Sequence, residues 1–208
     1  SRQGIRINTD FIDNAAGVNM SDYEVNIKIL LSQLLTAKKI KTDTQRNQIL
    51  KNATDDVTTL VLTNNQNNHR LLSMDQRRSN QDIVIFFKLI NHMITTKQLN
   101  PIQEYIPDSG ELEEIFEHHE LLPRPLLATL QAYVKMHVYD HLINAPQLLK
   151  ENLDLLYKTY FPQTLVTLSP KDTDKHRLKN EIIYTLLTNN IINQAGTPFF
   201  FKMEQLTT

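Results

Sequence analysis

The sequence has 208 residues, of which 40% are hydrophobic and 22% are charged, and its formal net charge is −1. This apolar content suffices for a packed core, and the near-neutral charge gives no broad attraction to nucleic acid or to an anionic membrane. The absence of cysteine excludes disulfides, thiolate catalysis and cysteine-type zinc sites. With no cysteine, the simplest compartment is the cytoplasm. No apolar run is long enough to cross a bilayer, and no signal-peptide segment follows the first residues.

Glycine is scarce, and its positions exclude the common nucleotide sites. The four glycines are Gly4, Gly17, Gly110 and Gly196, and no two of them are close in the sequence. A dinucleotide fold needs several glycines in one strand-to-helix turn, where the backbone approaches the pyrophosphate. A phosphate-binding P-loop has a similar requirement. The sequence therefore predicts no nucleotide site within these residues.

The first 24 residues predict a strand, a loop and the start of a helix. Residues 5–10 alternate apolar and polar side chains, as the end of a short strand does. Residues 13–18 have a loop composition with one glycine. Ser21 and Glu24 then match a capping box, so we expect a helix to begin at Ser21.

The rest of the chain predicts helices joined by short connectors. The polar run at residues 64–68 fits either a loop or an exposed helical turn, and Gly196 is expected just past the end of the last helix. The fold class is therefore mainly α, with a short strand–loop segment followed by a stack of about six helices. The further helices are expected from about residue 43, at 83–94, at 111–118, after Pro125, between 146 and 162, and from about 174 to 193.

Three clusters away from the N-terminus have an ordinary structural explanation. His137 and His141 have the spacing of metal ligands on a helix, but Val138 stands where a metalloprotease has glutamate and spacing suggests no third ligand. We therefore predict no metal. The acidic residues at 111–117 fit a solvated helix N-terminus. Phe199 to Phe201 are expected to dock on the last helix, or alternatively to form an interface.

The segment from residue 13 to residue 24 is the remaining candidate. A loop that delivers Ser21 to a helix N-terminus could form a small anion site, because free backbone N–H groups and the helix dipole point at it. An ordinary capped helix after a tight turn has the same residues. Chemistry alone favours the ordinary cap.

This segment and several later ones resemble the large bacterial NAD-dependent glutamate dehydrogenases. The matching blocks keep the family's order and extend over nearly the whole chain, although Ala15, Asn19 and Ile5 depart from its usual residues. The blocks lie at residues 6–18, 21–30, 46–62, 123–140, 160–162 and 176–199.

The resemblance implies part of a longer enzyme that oxidises L-glutamate to 2-oxoglutarate and ammonia with NAD. Residues 1–40 would end the catalytic, nucleotide-binding domain, and residues 41–208 would belong to a C-terminal helical region. The family's NAD site and its catalytic lysine and aspartate would lie upstream. The parent would be a homo-oligomer, without nucleic acid or membrane partners, and the remainder of its chain would complete the active site.

The resemblance also implies a role for four residues. Smaller hexameric glutamate dehydrogenases have a similar Gly-Gly-Val turn followed by serine, which faces the side-chain carboxylate of glutamate. By that likeness Val18 and Ser21 would contact the substrate, while Asn14 and Gly17 would shape the turn. A rival interpretation is a non-catalytic helical remnant or assembly module from a split or decayed gene, and the flanking coding sequence would distinguish the two.

Overall fold

The computed structural model describes residues 7–118, 121–145, 147 and 153–207. These residues form eleven helices and no strand, which confirms the prediction of a mainly α protein. Among them, no helix combines the length and the apolar character needed to cross a membrane. In chain order the helices are α1 Asp10–Asp13, α2 Ala15–Thr36, α3 Asp43–Gln81, α4 Ile83–Thr95, α5 Ser109–Glu117, α6 Arg124–Ile143, α7 Asp154–Lys158, α8 Gln163–Leu168, α9 Pro170–Thr173, α10 Lys179–Ala195 and α11 Phe199–Thr207.

The predicted N-terminal strand is wrong for the part that the structure describes. Residues 7–9 have no regular structure, and the carbonyl of Thr9 accepts hydrogen bonds from the N–H groups of Ile12 and Asp13, which starts a helical turn. Residues 5 and 6 lie outside the described residues. Asn8 is held by side chains, since it donates to Asp13 at 3.0 Å and accepts from Arg124 at 2.8 Å.

Several helix bounds also differ from the predicted ones. Helix α3 starts at Asp43 as expected but continues through residues 64–68, so that run is helical. The last long helix, α10, begins at Lys179 rather than near 174, and α11 was not predicted. The N-cap of α4 is Asp82, whose carboxylate accepts from the N–H of Ile85 at 3.2 Å. Pro146 lies outside the described residues, and α7 ends before Pro162.

The chain divides into two compact units, each built from separated stretches of sequence. The first contains residues 1–13, 67–141 and 188–208, and the second contains residues 14–66 and 142–187. The domain boundary expected at residue 40 stays a prediction.

The second unit has an apolar core that α2 supplies along one face. Tyr23, Ile27, Leu30 and Leu34 are buried at helical spacing. Most of the other cluster residues come from the short helices α7 and α8, from the connector between these two helices, and from α10. These partners are Tyr157, Tyr160, Phe161, Leu165, Val166, Ile182 and Ile183.

In the first unit the turn after α10 is fixed to a buried carboxylate. Gly196 has a positive φ of 96°, as predicted for the residue that ends a helix. The next N–H, that of Thr197, donates to Asp75 at 3.2 Å, and Arg78 donates to the same carboxylate at 2.8 Å. Because Asp75 is 1% exposed, these bonds satisfy a charge that water cannot reach.

Candidate functional site

The four residues implied by the resemblance lie on one exposed stripe at the start of α2. Asn14 immediately precedes the helix, and Gly17, Val18 and Ser21 follow at offsets of three, four and seven residues. On an α-helix these offsets place residues on one face. All four are exposed, and Val18 is 70% exposed. The predicted site residues are therefore brought together, on a helix rather than on a loop.

The expected cap at Ser21 is wrong. Helix α2 begins at Ala15, so Ser21 is in its second turn and has no free helix N-terminus to cap. Glu24 instead pairs with Lys28 one turn later, at 2.5 Å, and the Lys28 hydrogen bond lowers the pKa of the Glu24 carboxyl. The anion site expected at Ser21 required a helix N-terminus at that residue, and the structure has none there.

Gly17 leaves room for the side chain of Asn14 at the helix start. A Cβ atom added to Gly17 would lie 2.9 Å from Oδ1 of Asn14, while the N–H of Gly17 donates to the Asn14 carbonyl at 3.1 Å. Asn14 makes no side-chain capping bond. The predicted tight turn is thus one turn of helix, in which glycine allows the amide to fold over the backbone.

Beside this stripe, at the edge of the apolar core, the exposed Asp22 of α2 joins the buried Asn26 and Tyr160 in a polar network. The hydroxyl of Tyr160 donates to the carboxylate of Asp22 at 2.7 Å and accepts from the amide of Asn26 at 2.8 Å. Asn26 also donates to Asp22, at 3.1 Å. Tyr160 stacks on Tyr23 with ring centroids 4.7 Å apart. Burial, reinforced by the hydrogen bond to Asp22, raises the pKa of Tyr160 far above its ordinary value, so this group stays a neutral donor.

His176 extends this network to the backbone of α2. Its Nδ1 accepts from the N–H of Leu178 at 3.1 Å, so Nε2 carries the proton and donates to the Asn26 carbonyl at 3.0 Å. Burial lowers the pKa of His176, with the Asn26 carbonyl and the charge of Glu181 acting against that shift. The arrangement holds a neutral imidazole and fixes the register of α2 against the segment before α10.

No sequence pattern predicts this network, although its residues lie in segments that carry the family resemblance. Asn26, Tyr160 and His176 each fall in a matching block. The available signal was Asn26, a polar residue at a core position between Tyr23 and Leu30 on the apolar face. A buried amide requires partners, but the sequence alone does not say which.

The histidines of α6 acquire a third neighbour that spacing could not suggest. Nε2 of His137 lies 3.0 Å from Oε1 of Glu204, in α11, and Nε2 of His141 lies 3.7 Å from the same oxygen. Phe200 packs edge-on against both imidazoles, and Phe201 packs against His92 in α4. The aromatic cluster therefore docks on histidines of α4 and α6.

The described glycines lie apart from one another in the structure as well as in the sequence. Gly17 and Gly110 lie inside helices, and the space beside Gly196 is filled by the guanidinium of Arg78. Among the described residues there is no strand that could end in a pyrophosphate-binding turn.

Two family models match the chain. Residues 1–75 match the model described as bacterial NAD-glutamate dehydrogenase, catalytic domain, and residues 119–208 match the model described as glutamate dehydrogenase, C-terminal. The first match contains the exposed stripe of α2. The second contains Tyr160, His176 and the cluster around Glu204.

Curated relatives named NAD-specific glutamate dehydrogenase match almost the entire chain. The relative from Pseudomonas aeruginosa is 36% identical over 200 residues, which are 96% of this chain and 12% of that protein. The relative from Halomonas elongata is 33% identical over 205 residues, or 99% of this chain and 13% of that protein, and the one from Mycobacterium tuberculosis is 32% identical over 202 residues, or 97% and 12%. No solved structure matches the chain. The chain belongs to the family of bacterial NAD-specific glutamate dehydrogenases.

Proposed function

We propose that this chain is part of an enzyme that converts L-glutamate, NAD and water to 2-oxoglutarate, ammonia and NADH, and that it contributes one wall of the glutamate pocket. The names of the three relatives support the reaction, while the chain covers only 12% or 13% of each of them. The observation that carries the proposal is the exposed stripe of Asn14, Gly17, Val18 and Ser21, which lies within the match to the catalytic-domain model.

The stripe combines an exposed apolar side chain with a hydroxyl, as the wall of a substrate pocket does. Val18 is a large apolar side chain with 70% of its surface exposed, and it lies beside the Ser21 hydroxyl, which can donate to a carboxylate. The inner face of the same helix packs in the core, and the Asp22–Tyr160–Asn26 network holds the helix beside the stripe. The exposed residues therefore project from a firmly held helix, as positioning of a substrate requires.

The cation that neutralises the substrate carboxylate would come from elsewhere in the parent enzyme. Asp22 and Glu24 follow the stripe along α2, and Lys28, the nearest lysine after them on this helix, is paired with Glu24. A substrate with two carboxylates needs a positive partner to offset this negative charge. NAD and the groups that transfer protons would likewise be supplied by other parts of the parent, since the glycines present here are isolated.

Substitution of Ser21 in the full-length parent enzyme tests the proposal. Removing a hydrogen bond to a charged carboxylate costs about 1.5–3 kcal/mol, so Ser21→Ala should lower kcat/KM for glutamate roughly ten- to a hundred-fold. Because the side-chain carboxylate is bound in the ground state and in the transition state, KM should account for much of the loss. Discrimination against substrates that lack this carboxylate should relax as well.

Ser32→Ala is the matched control, since Ser32 is an exposed serine of the same helix three turns later. It should leave kcat/KM unchanged. If Ser21→Ala keeps kcat/KM within about twofold of the wild-type value, the substrate role of this stripe is wrong. A change in Tm with unaltered kinetics would lead to the same conclusion.

A further inference from the structure

The cluster formed by His137, His141 and Glu204 has the geometry of a transition-metal site. One ligand atom from each side chain lies within 4.8 Å of the other two. Around a tetrahedral zinc ion, bonds of about 2.0–2.2 Å place neighbouring ligand atoms about 3.3–3.5 Å apart. The two separations from Oε1 of Glu204, 3.0 Å to His137 Nε2 and 3.7 Å to His141 Nε2, bracket this distance.

The ring of His141 is oriented as a metal ligand requires. Its Nδ1 lies 2.9 Å from the carbonyl oxygen of His137, which can only accept, so Nδ1 carries a proton and Nε2 is the nitrogen that can offer a lone pair to a metal. A hydrogen bond from the far ring nitrogen to a backbone carbonyl is the usual support for a zinc-bound histidine. The lone pair therefore faces the Glu204 carboxylate, and a cation between the two would be attracted by both.

The neighbouring groups hold the carboxylate and partly exclude water. Nε2 of His92 lies 3.4 Å from the second carboxylate oxygen of Glu204, and the side chain of His137 is only 9% exposed. Phe200 packs against both histidine rings at about 5 Å between centroids. His141 remains 51% exposed, which leaves an entry path for an ion and room for a bound water.

From this geometry we propose that His137, His141 and Glu204 bind one divalent transition-metal ion of the zinc type, with a water in the fourth position. Two imidazoles and one carboxylate suit zinc, whereas magnesium and calcium prefer sites made only of oxygen. The bound ion fastens α11 to α6 through three side-chain ligands. This site is independent of the glutamate pocket proposed above.

Titration calorimetry of the metal-free 208-residue chain with zinc chloride tests the site directly. We expect one zinc ion per chain in a saturable transition and no matching signal with magnesium chloride. His137→Gln with His141→Gln should weaken zinc binding about 100-fold or more, and Glu204→Gln should weaken it about tenfold or more. Cobalt(II), used in place of zinc, should give the visible absorption of a tetrahedral ion.

His118→Gln is the control, because His118 is an exposed histidine outside the cluster. It should bind zinc as the wild type does. A wild-type chain that binds no zinc, or binds it with unchanged affinity after the double substitution, overturns the proposal. Loss of binding in His118→Gln instead would place the metal elsewhere and overturn it too. If the double variant fails to fold, Glu204→Gln is the deciding variant, and unchanged zinc affinity in Glu204→Gln would likewise overturn the proposal.

Discussion

The hydroxyl of Tyr160 and the carboxylate of Asp22 are 138 positions apart in sequence and are joined by a 2.7 Å hydrogen bond. Tyr160 precedes α8 and Asp22 lies in the second turn of α2, so this bond ties together two distant segments of the second unit. The same hydroxyl accepts from Asn26. One atom thus satisfies two partners on one face of α2.

Tyr160→Phe should lower the free energy of unfolding by about 1.5–3 kcal/mol, since it removes a hydrogen bond to a charged group and one from a buried amide. Urea denaturation followed by circular dichroism measures the change. Tyr105→Phe is the control, because Tyr105 is 92% exposed, and it should change stability by no more than about 0.5 kcal/mol. Equal stability of Tyr160→Phe and the wild type would mean that the network adds nothing to the core.

Gly196→Ala should destabilise the first unit. Alanine tolerates a φ of 96° poorly, and its Cβ would lie 2.2 Å from Nη1 of Arg78. Arg78 would have to move away from the Asp75 carboxylate, so we expect a loss of about 1–3 kcal/mol in urea denaturation.

Gly110→Ala provides the contrast to that substitution. Gly110 lies in α5 with its nearest neighbour, Oδ1 of Asp108, 3.4 Å from an added Cβ. Replacing a helical glycine with alanine where the added Cβ makes only an ordinary van der Waals contact should be neutral or should stabilise by up to about 1 kcal/mol. Identical behaviour of the two variants would contradict the strained geometry at Gly196.

Gly17→Ala should stabilise the isolated chain by about 0.5–1 kcal/mol, because Gly17 is inside α2 and only the flexible Asn14 side chain must move. A thermal melt of the purified chain measures this. If the variant melts lower instead, Gly17 adopts a turn that needs glycine, and the helical start of α2 at Ala15 is wrong.

Stability should depend on the protonation of His176. Its pKa in the folded chain is lowered by burial from the ordinary value of 6.5, so the unfolded chain takes up the proton more readily. The contribution of the neutral imidazole is complete above about pH 6.5 and is lost as the pH falls through the lowered folded-state value.

We therefore expect the loss of stability between about pH 7.5 and about pH 5.5 to be smaller for His176→Gln than for the wild type. Urea midpoints at both pH values measure it. His118→Gln, which changes an exposed histidine, should retain the wild-type loss. A His176→Gln variant that retains the whole loss would show that other groups cause it.

The isolated chain should bind no NAD at micromolar concentrations, because its glycines do not form a pyrophosphate-binding turn. Calorimetric titration with NAD checks this. Saturable micromolar binding would contradict the proposal that other parts of the parent enzyme bind NAD.

The helical class and most helix positions could be predicted because apolar residues recur at helical spacing. The start of α2 could not, since Ser21 and Glu24 imitate a capping box that is in fact inside the helix. The helical spacing of core residues continues back from Tyr23 to Ala16, and this spacing indicates the start of α2 better than the apparent capping box does. Contacts between polar side chains far apart in sequence leave no such period.

The polar run in α3 illustrates that limit. Asn64 donates to Asn19 and to the hydroxyl of Tyr23, both at 3.3 Å, and Asn68 accepts from Lys135 at 2.9 Å. These amides form hydrogen bonds with residues far away in the sequence. The helix therefore continues through a run whose composition is typical of loops. Burial lowers the pKa of Lys135 to about 8, an effect that follows from packing alone. Glu204 joins the histidines of α6 for the same reason, since only the folded chain brings it there.

The stacked rings of Tyr23 and Tyr160 give the second unit an intrinsic optical reporter. The protein has no tryptophan and seven tyrosines, and this pair is held at an interplanar angle of 30° in a chiral, buried setting. Its near-ultraviolet circular dichroism should disappear when side-chain packing loosens, even while the far-ultraviolet signal of the helices persists. A molten form of the chain can therefore be told from the native one without any label.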